Sequence, residues 1–145
     1  MSALDKLVAA HPALFRGTDP RVPGDLPVGW HGLVDQLCTA IESVLGSVDC
    51  ASFEVVQVKE KYGALRLYFA LAGAQDHFVD FHTGAGLRTF VRRVEGPPKM
   101  DAIRRLVEEA AKASSTTCQT CGAPGQRLVQ GGRVATLCAE HGEER

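Results

Sequence analysis

Cys118-Gln-Thr-Cys121 and Cys138-Ala-Glu-His141 bring three thiols and an imidazole into two pairs, each with a two-residue gap, and sixteen residues lie between the pairs. A two-residue gap lets one tight turn aim both side chains at a tetrahedral ion, and the separation falls in the range of two-knuckle zinc sites. Gly122 relieves the backbone just after the second thiolate. Four protein ligands fill a tetrahedron and leave no position for water, so the spacing predicts one structural Zn²⁺ and not a catalytic one. Three thiolates, a neutral imidazole and the ion would shift the formal charge from -1 to about -2. Between the pairs, residues 127–130 and 133–137 read as short strands around Gly131-Gly132, a dipeptide suited to a two-residue hairpin turn. Knuckle, hairpin, knuckle is the layout of a zinc ribbon or treble clef over residues 115–145.

Other clusters of reactive types are weaker. His77, Asp80 and His82 are ligand types close in sequence, but a strand would put Asp80 and His82 on one face and His77 on the other, which reads as an exposed polar edge. An enzyme using these three around a second metal is the third of three readings of function. His11 and His31 have acids near in sequence and no recognisable catalytic partner. Cys38 lies on the apolar face of a helix and reads as core, and Asp49 beside Cys50 discourages a thiolate. No nucleophile elbow, Walker loop or His-Glu-x-x-His stretch occurs.

The elements that must hold these residues follow from periodicity. Residues 3–10 form a helix with Ser2 and Asp5 as a capping pair, stopped by His11-Pro12. Residues 12–29 are a proline- and glycine-rich wrap. From Trp30, apolar residues at 33, 34, 37, 38, 41, 44 and 45 give a four-turn amphipathic helix, with Gly46 placed to end it as a left-handed cap. Residues 53–60 and 64–71 alternate as two strands joined through Lys61-Tyr62-Gly63, with Leu65, Leu67, Phe69 and Leu71 inward. Two shorter strands are expected at 77–82 and 87–94. After Pro97-Pro98 a second amphipathic helix runs from Met100 to about Ala113, with Asp101–Arg105 and Glu108–Lys112 as four-apart pairs. The fold class is therefore α+β. Two main helices pack on a small antiparallel sheet in a core of residues 1–114, and the zinc module of residues 115–145 docks on that core.

Gln57, Lys59 and Lys61 share one strand face, and Arg66 with Tyr68 occupies the matching face of the next. Lys59, Lys61, Arg66 and Tyr68 thus make a basic face with one aromatic, suited to an acidic patch or a nucleic-acid backbone. Charge reversal there is expected to leave stability nearly unchanged. Sixteen Lys and Arg against seventeen Asp and Glu argue against non-specific nucleic-acid binding, which rests on many cationic contacts. No apolar run approaches the ~18 residues of a membrane span. The opening residues lack a secretory pattern, so a cytoplasmic location is expected.

The segment from Gln57 to Tyr68 (Gln-Val-Lys-Glu-Lys-Tyr-Gly-Ala-Leu-Arg-Leu-Tyr), the run from Thr117 to Gly125 and the run from Thr136 to His141 resemble a family of small uncharacterised bacterial and prophage proteins. The likeness covers the helix from Trp30, the hairpin and the metal tail, roughly two-thirds of the chain. The stretch 72–98 is longer here than that family's usual connection. The resemblance implies no particular activity, and its prophage settings suggest phage–host conflict. Together with near-neutral charge, it favours a non-catalytic, zinc-stabilised protein that binds or inhibits another protein. A nucleic-acid binder using the basic hairpin with Arg92 and Arg93 is the alternative.

Overall fold

The computed structural model describes residues 2–16, 26–83 and 86–143. Helix α1 spans Ala3–Ala10, and its first turn is closed by the expected reciprocal box: the Asp5 N–H donates to Ser2 Oγ at 3.1 Å and the Ser2 N–H to Asp5 Oδ2 at 3.0 Å. Of the proline-rich wrap, residues 17–25 lie outside the described residues. A 3₁₀ turn at Val28–Trp30 leads into α2, His31–Asp49, whose buried stripe is Val34, Leu37, Cys38, Ile41 and Leu45. Gly46 takes the left-handed φ of 68° that its position calls for, yet a further turn follows before the chain leaves the helix. The ammonium of Lys99 explains the extension: it donates to Leu45 O at 3.0 Å and to Asp49 Oδ2 at 2.5 Å, satisfying the carbonyl that Gly46 frees.

Strands β1 (Phe53–Lys61), β2 (Ala64–Leu71) and β3 (Ala74–Gln75) form one antiparallel sheet in that order. The β1–β2 turn has positive φ at Tyr62 (53°) as well as Gly63 (80°), the two-residue geometry that matches strand twist. A bulge between Val55 and Gln57 shifts the alternation, so Val55 and Val58 are both buried while Gln57, Lys59 and Lys61 face outward as expected. Strand β3 was not legible from periodicity, being two residues long. Strands β4 (His77–Thr83) and β5 (Gly86–Arg92) form a separate hairpin, with Asp80 opposite Thr89 and Phe78 opposite Val91.

Helix α3, Met100–Ser114, packs on α2 and on β2. The core joins Trp30, Ile41 and Leu45 to Phe53, Val55, Leu65, Leu67, Met100 and Ile103. Full burial of such side chains is worth about 1.5–3 kcal/mol each, which is what fixes two amphipathic helices on one face of a small sheet. The four-apart pairs expected on α3 give way to other partners: Asp101 is taken by Arg104 at 2.7 Å, and Glu108 by Arg93 from beyond β5. Arg104 is a neighbour of Asp101 on the same helix, whereas at Glu108 a tertiary neighbour wins, because a helix-surface pair is worth only a few tenths of a kcal/mol. After α3 come β6 (Gln126–Gln130), β7 (Arg133–Leu137) and the short α4 (Ala139–Glu143). Among the described residues, no helix is long and apolar enough to cross a membrane.

Candidate metal centre

Cys118 follows α3 after a tight exit in which the Thr117 hydroxyl donates to Ala113 O at 2.8 Å. The next residues form a knuckle: the Gly122 N–H donates to Cys118 O at 2.9 Å and the Cys118 N–H to Ala123 O at 2.7 Å. Gly122 has φ 81°, so the glycine read from the sequence is required by the turn. Strands β6 and β7, joined by Gly131-Gly132, return the chain so that Cys138 stands just before α4 and His141 in its first turn. The four ligand atoms lie within 4.8 Å of one another. Cys121 Sγ is 3.8 Å from Cys138 Sγ, and His141 Nδ1 is 3.2 Å from Cys138 Sγ and 3.6 Å from Cys118 Sγ. A tetrahedral ion with metal–sulfur bonds of about 2.3 Å sets its sulfurs about 3.8 Å apart. The residues expected from sequence therefore converge with spacing suited to a metal ion.

The electrostatics favour the ligand state. Burial alone would push the Cys118 thiol up, but N–H groups of Cys138, Cys121 and Thr120, with the His141 ring, outweigh it and bring the pKa down to about 6. At Cys121 the Ala123 N–H pulls the pKa down, while burial and the thiols of Cys118 and Cys138 push harder, leaving it raised. Neighbouring thiolates repel one another, and a cation placed among them removes that repulsion.

Segment 117–143 is tied to the core by polar bonds that its cysteines alone do not reveal. The fully buried Trp30 donates its indole N–H to Thr117 O at 2.8 Å. The Thr136 hydroxyl donates to Gly63 O at 2.7 Å, and Arg127 Nε to Tyr62 O at 3.0 Å, gripping the β1–β2 turn. Gly29 donates its N–H to Gln119 O at 2.9 Å, and a Cβ on Gly29 would stand 2.1 Å from Cys118 O. Only glycine permits that approach.

The basic hairpin face has a different setting from the one its sequence suggests. Asp80 of β4 lies over it: its carboxylate accepts from Lys61, and from Arg66 at 3.4 Å and Thr89 at 2.6 Å. Tyr68 packs against Phe78 with ring centroids 4.9 Å apart, and Lys59 Nζ is 5.4 Å from the Tyr68 ring centre. Asp80 is thus a half-buried counter-ion and not part of an exposed edge. The side chain of His82 lies outside the described residues, and among those described His77 and Asp80 belong to no metal-holding group. Arg66→Glu would set a second carboxylate against Asp80, so charge reversal there costs stability, contrary to the expectation for a free surface.

The same contact has a pH signature. Burial alone would raise the Asp80 pKa, but hydrogen bonds from Lys61 and Thr89 and the charge of Arg66 hold it at about 2. A depressed folded pKa stabilises the fold above the unfolded value near 4, and the benefit is lost as pH falls through about 2. The lost contribution should be about 2 kcal/mol, measured by urea unfolding between pH 5 and 2, and Asp80→Asn should flatten that part of the profile.

One histidine acquires partners that sequence proximity did not reveal. His11, 7% exposed, sets Nε2 2.7 Å from Asp35 Oδ1 and Nδ1 2.6 Å from Glu42 Oε1, pinning the end of α1 to α2. Cys38 lies between those acids on the helix, and burial first, then Glu42 and Asp35, pushes its thiol up to about 12. With both ring nitrogens engaged and the thiol held protonated, this cluster is a staple and not a nucleophile–base pair.

Comparison with protein-family models, curated proteins and solved structures finds no match to this chain.

Proposed function

We propose that the chain is a non-catalytic binding protein, stabilised by one structural zinc in a treble-clef-like module, and that its partner is another protein. Cys₃His is a soft-to-borderline donor set typical of closed zinc sites, and all four positions of the tetrahedron are supplied by protein. The observation that carries the partner reading is the outer face of the β4–β5 hairpin. Register places His77, Val79 and Phe81 beside Arg92, Phe90 and Arg88, on the side away from Tyr68. Val79, Phe81 and Phe90 are 51%, 47% and 59% exposed, and the two phenylalanine rings meet edge-on at 5.2 Å. An aromatic patch rimmed by arginines has the composition of an interface hot spot. Of the face read from sequence, Lys61, Arg66 and Tyr68 meet this hairpin through Asp80 and Phe78. The resemblance of its hairpin and metal tail to bacterial and prophage proteins would fit a role in phage–host conflict.

Phe81→Ser with Phe90→Ser should abolish capture of a protein partner from the host while leaving the melting temperature within about 2 °C, since both rings are largely in water. A partner retained at full strength would move the interface off this hairpin. Aromatics between arginines are also what single-stranded nucleic acid stacks upon. Binding to an oligonucleotide that weakens steeply with salt, with no protein partner recovered, would replace the protein reading. Two metal equivalents in place of one would favour the metal-enzyme reading.

A further inference from the structure

Resting on the protein-binding reading, we infer that the partner contributes an extended segment that adds as a fourth strand to the free edge of β2, in the groove between α3 and the β4–β5 hairpin. The direction of each main-chain group follows from three bonds. Ala72 donates its N–H to Ser52 O, on the β1 side at 2.8 Å, so even-numbered residues of β2 point toward β1. Leu65 donates its N–H the other way, to Ser114 Oγ of α3 at 2.8 Å. Leu71 pairs with Ala74 of β3. Leu67 therefore presents its N–H and C=O to the outer edge and Phe69 its N–H, while the Ala70–Gln75 pairing occupies the Phe69 C=O with the Asp76 N–H.

That edge is the floor of a cavity of about 220 Å³, walled by Val107 and Ala111 of α3 on one side and by Phe78 and Val91 of the hairpin on the other. Five consecutive β2 residues, 65–69, line it, as a cleft along a strand's edge requires. Ser114 closes the groove at the Leu65 N–H and the β3 pairing closes it from the Phe69 C=O onward, so the open stretch receives about three residues of an extended chain.

Main-chain donors and acceptors repeating every second residue select a polypeptide strand, because only another backbone repeats at that spacing. Arg66, Arg93 and Arg104 at the groove are each paired with a carboxylate, Asp80, Glu108 and Asp76, so its charges balance, and the apolar walls of Val107, Ala111, Phe78 and Val91 favour a segment with an apolar side chain. The exposed Arg93–Glu108 pair bridges hairpin and helix, and such pairs open at little cost. A second copy of this chain is a poor occupant: its own β2 edge is equally recessed, and two recessed edges do not meet.

Amide hydrogen exchange on the intact, metal-loaded protein tests this, with a phage-displayed random heptamer library as the source of probes. In the free protein Arg66 and Tyr68, bonded to β1, and Leu65, bonded to Ser114, should exchange slowly, and Leu67 and Phe69 quickly. Selected heptamers should place apolar residues in alternation and should slow Leu67 and Phe69. N-methylation of the peptide's pairing residue should weaken binding about tenfold or more, and Ala111→Trp, which fills the groove, should do the same. The peptide modification leaves the protein untouched, so it decides the matter even if the tryptophan variant fails to fold. Slow exchange of Leu67 and Phe69 in the free protein would overturn the inference, as would a library yielding no binder. Heptamers that protect the outer hairpin face instead would overturn the groove while leaving the protein-binding reading in place. An oligonucleotide that protects Leu67 and Phe69 would overturn both.

Discussion

Cys121→Ser, or stripping with a chelator, should release about one equivalent of zinc and remove amide protection throughout residues 117–143. Strands β6 and β7 leave Val129 69% exposed, and a lone hairpin with little apolar burial does not hold its shape in water. Metal binding in such modules is folding free energy, on the order of 10 kcal/mol or more at neutral pH. Helices α2 and α3 should persist, because Leu37, Ile41 and Ile103 are buried by each other and by the sheet. Their stability should still fall, since release unties Trp30 Nε1 from Thr117 O and Gly63 O from Thr136. Each lost bond to a buried group costs about 1–3 kcal/mol unless water reaches it. Elemental analysis and hydrogen exchange read both parts. Stoichiometric zinc retained by a Cys118→Ser, Cys121→Ser double variant would refute the site, and an unaltered Gly29 amide, whose N–H donates to Gln119 O, after metal loss would refute the coupling.

Arg104→Met should cost about 3–5 kcal/mol, a fall of about 10–16 °C in melting temperature. Arg104 grips the Asp76 carboxylate with two bonds of 2.8 Å and donates to Val94 O at 2.6 Å, while the Val94 N–H donates to Asp76 at 3.1 Å. Asp76 precedes β4 and Val94 follows β5, so one guanidinium on α3 clamps both feet of the hairpin. The side chains are 8% and 11% exposed, and removing the cation leaves a carboxylate buried without its counter-charge. Burial alone would raise the Asp76 pKa, yet the Arg104 and Val94 hydrogen bonds hold it below the ordinary value. Asp76→Leu with Arg104→Met should cost less than Arg104→Met alone, since no unpaired charge remains. Urea unfolding of the single and double variants completes the cycle, and a single-variant cost under about 1 kcal/mol would show that the feet are held by other contacts.

These two sites differ in how much of them could be read from residues alone. The cluster of Cys118, Cys121, Cys138 and His141 was legible because a set able to hold a metal needs short, fixed spacings that local turns must satisfy. The helices, the β1–β2 hairpin and the Ser2 cap were legible for the same kind of reason: each is set by neighbours within a few residues. Pairing at long separation left no such trace. Nothing in a linear pattern joins His11 to Asp35 and Glu42, Asp80 to Lys61 and Arg66, or Arg104 to Asp76. A charged residue on a strand or helix reads as solvated until the fold places a counter-charge opposite it, so Lys61 and Arg66 read as open although Asp80 of the hairpin lies against them. Gly29 likewise reads as one more loop glycine until Cys118 O is brought against it. The sequence by itself determined the local elements and the donor set. The tertiary structure alone decided which charges are neutralised, which strand edge stays free and how residues 117–143 are anchored, because those outcomes depend on through-space contact between segments that local propensity does not constrain.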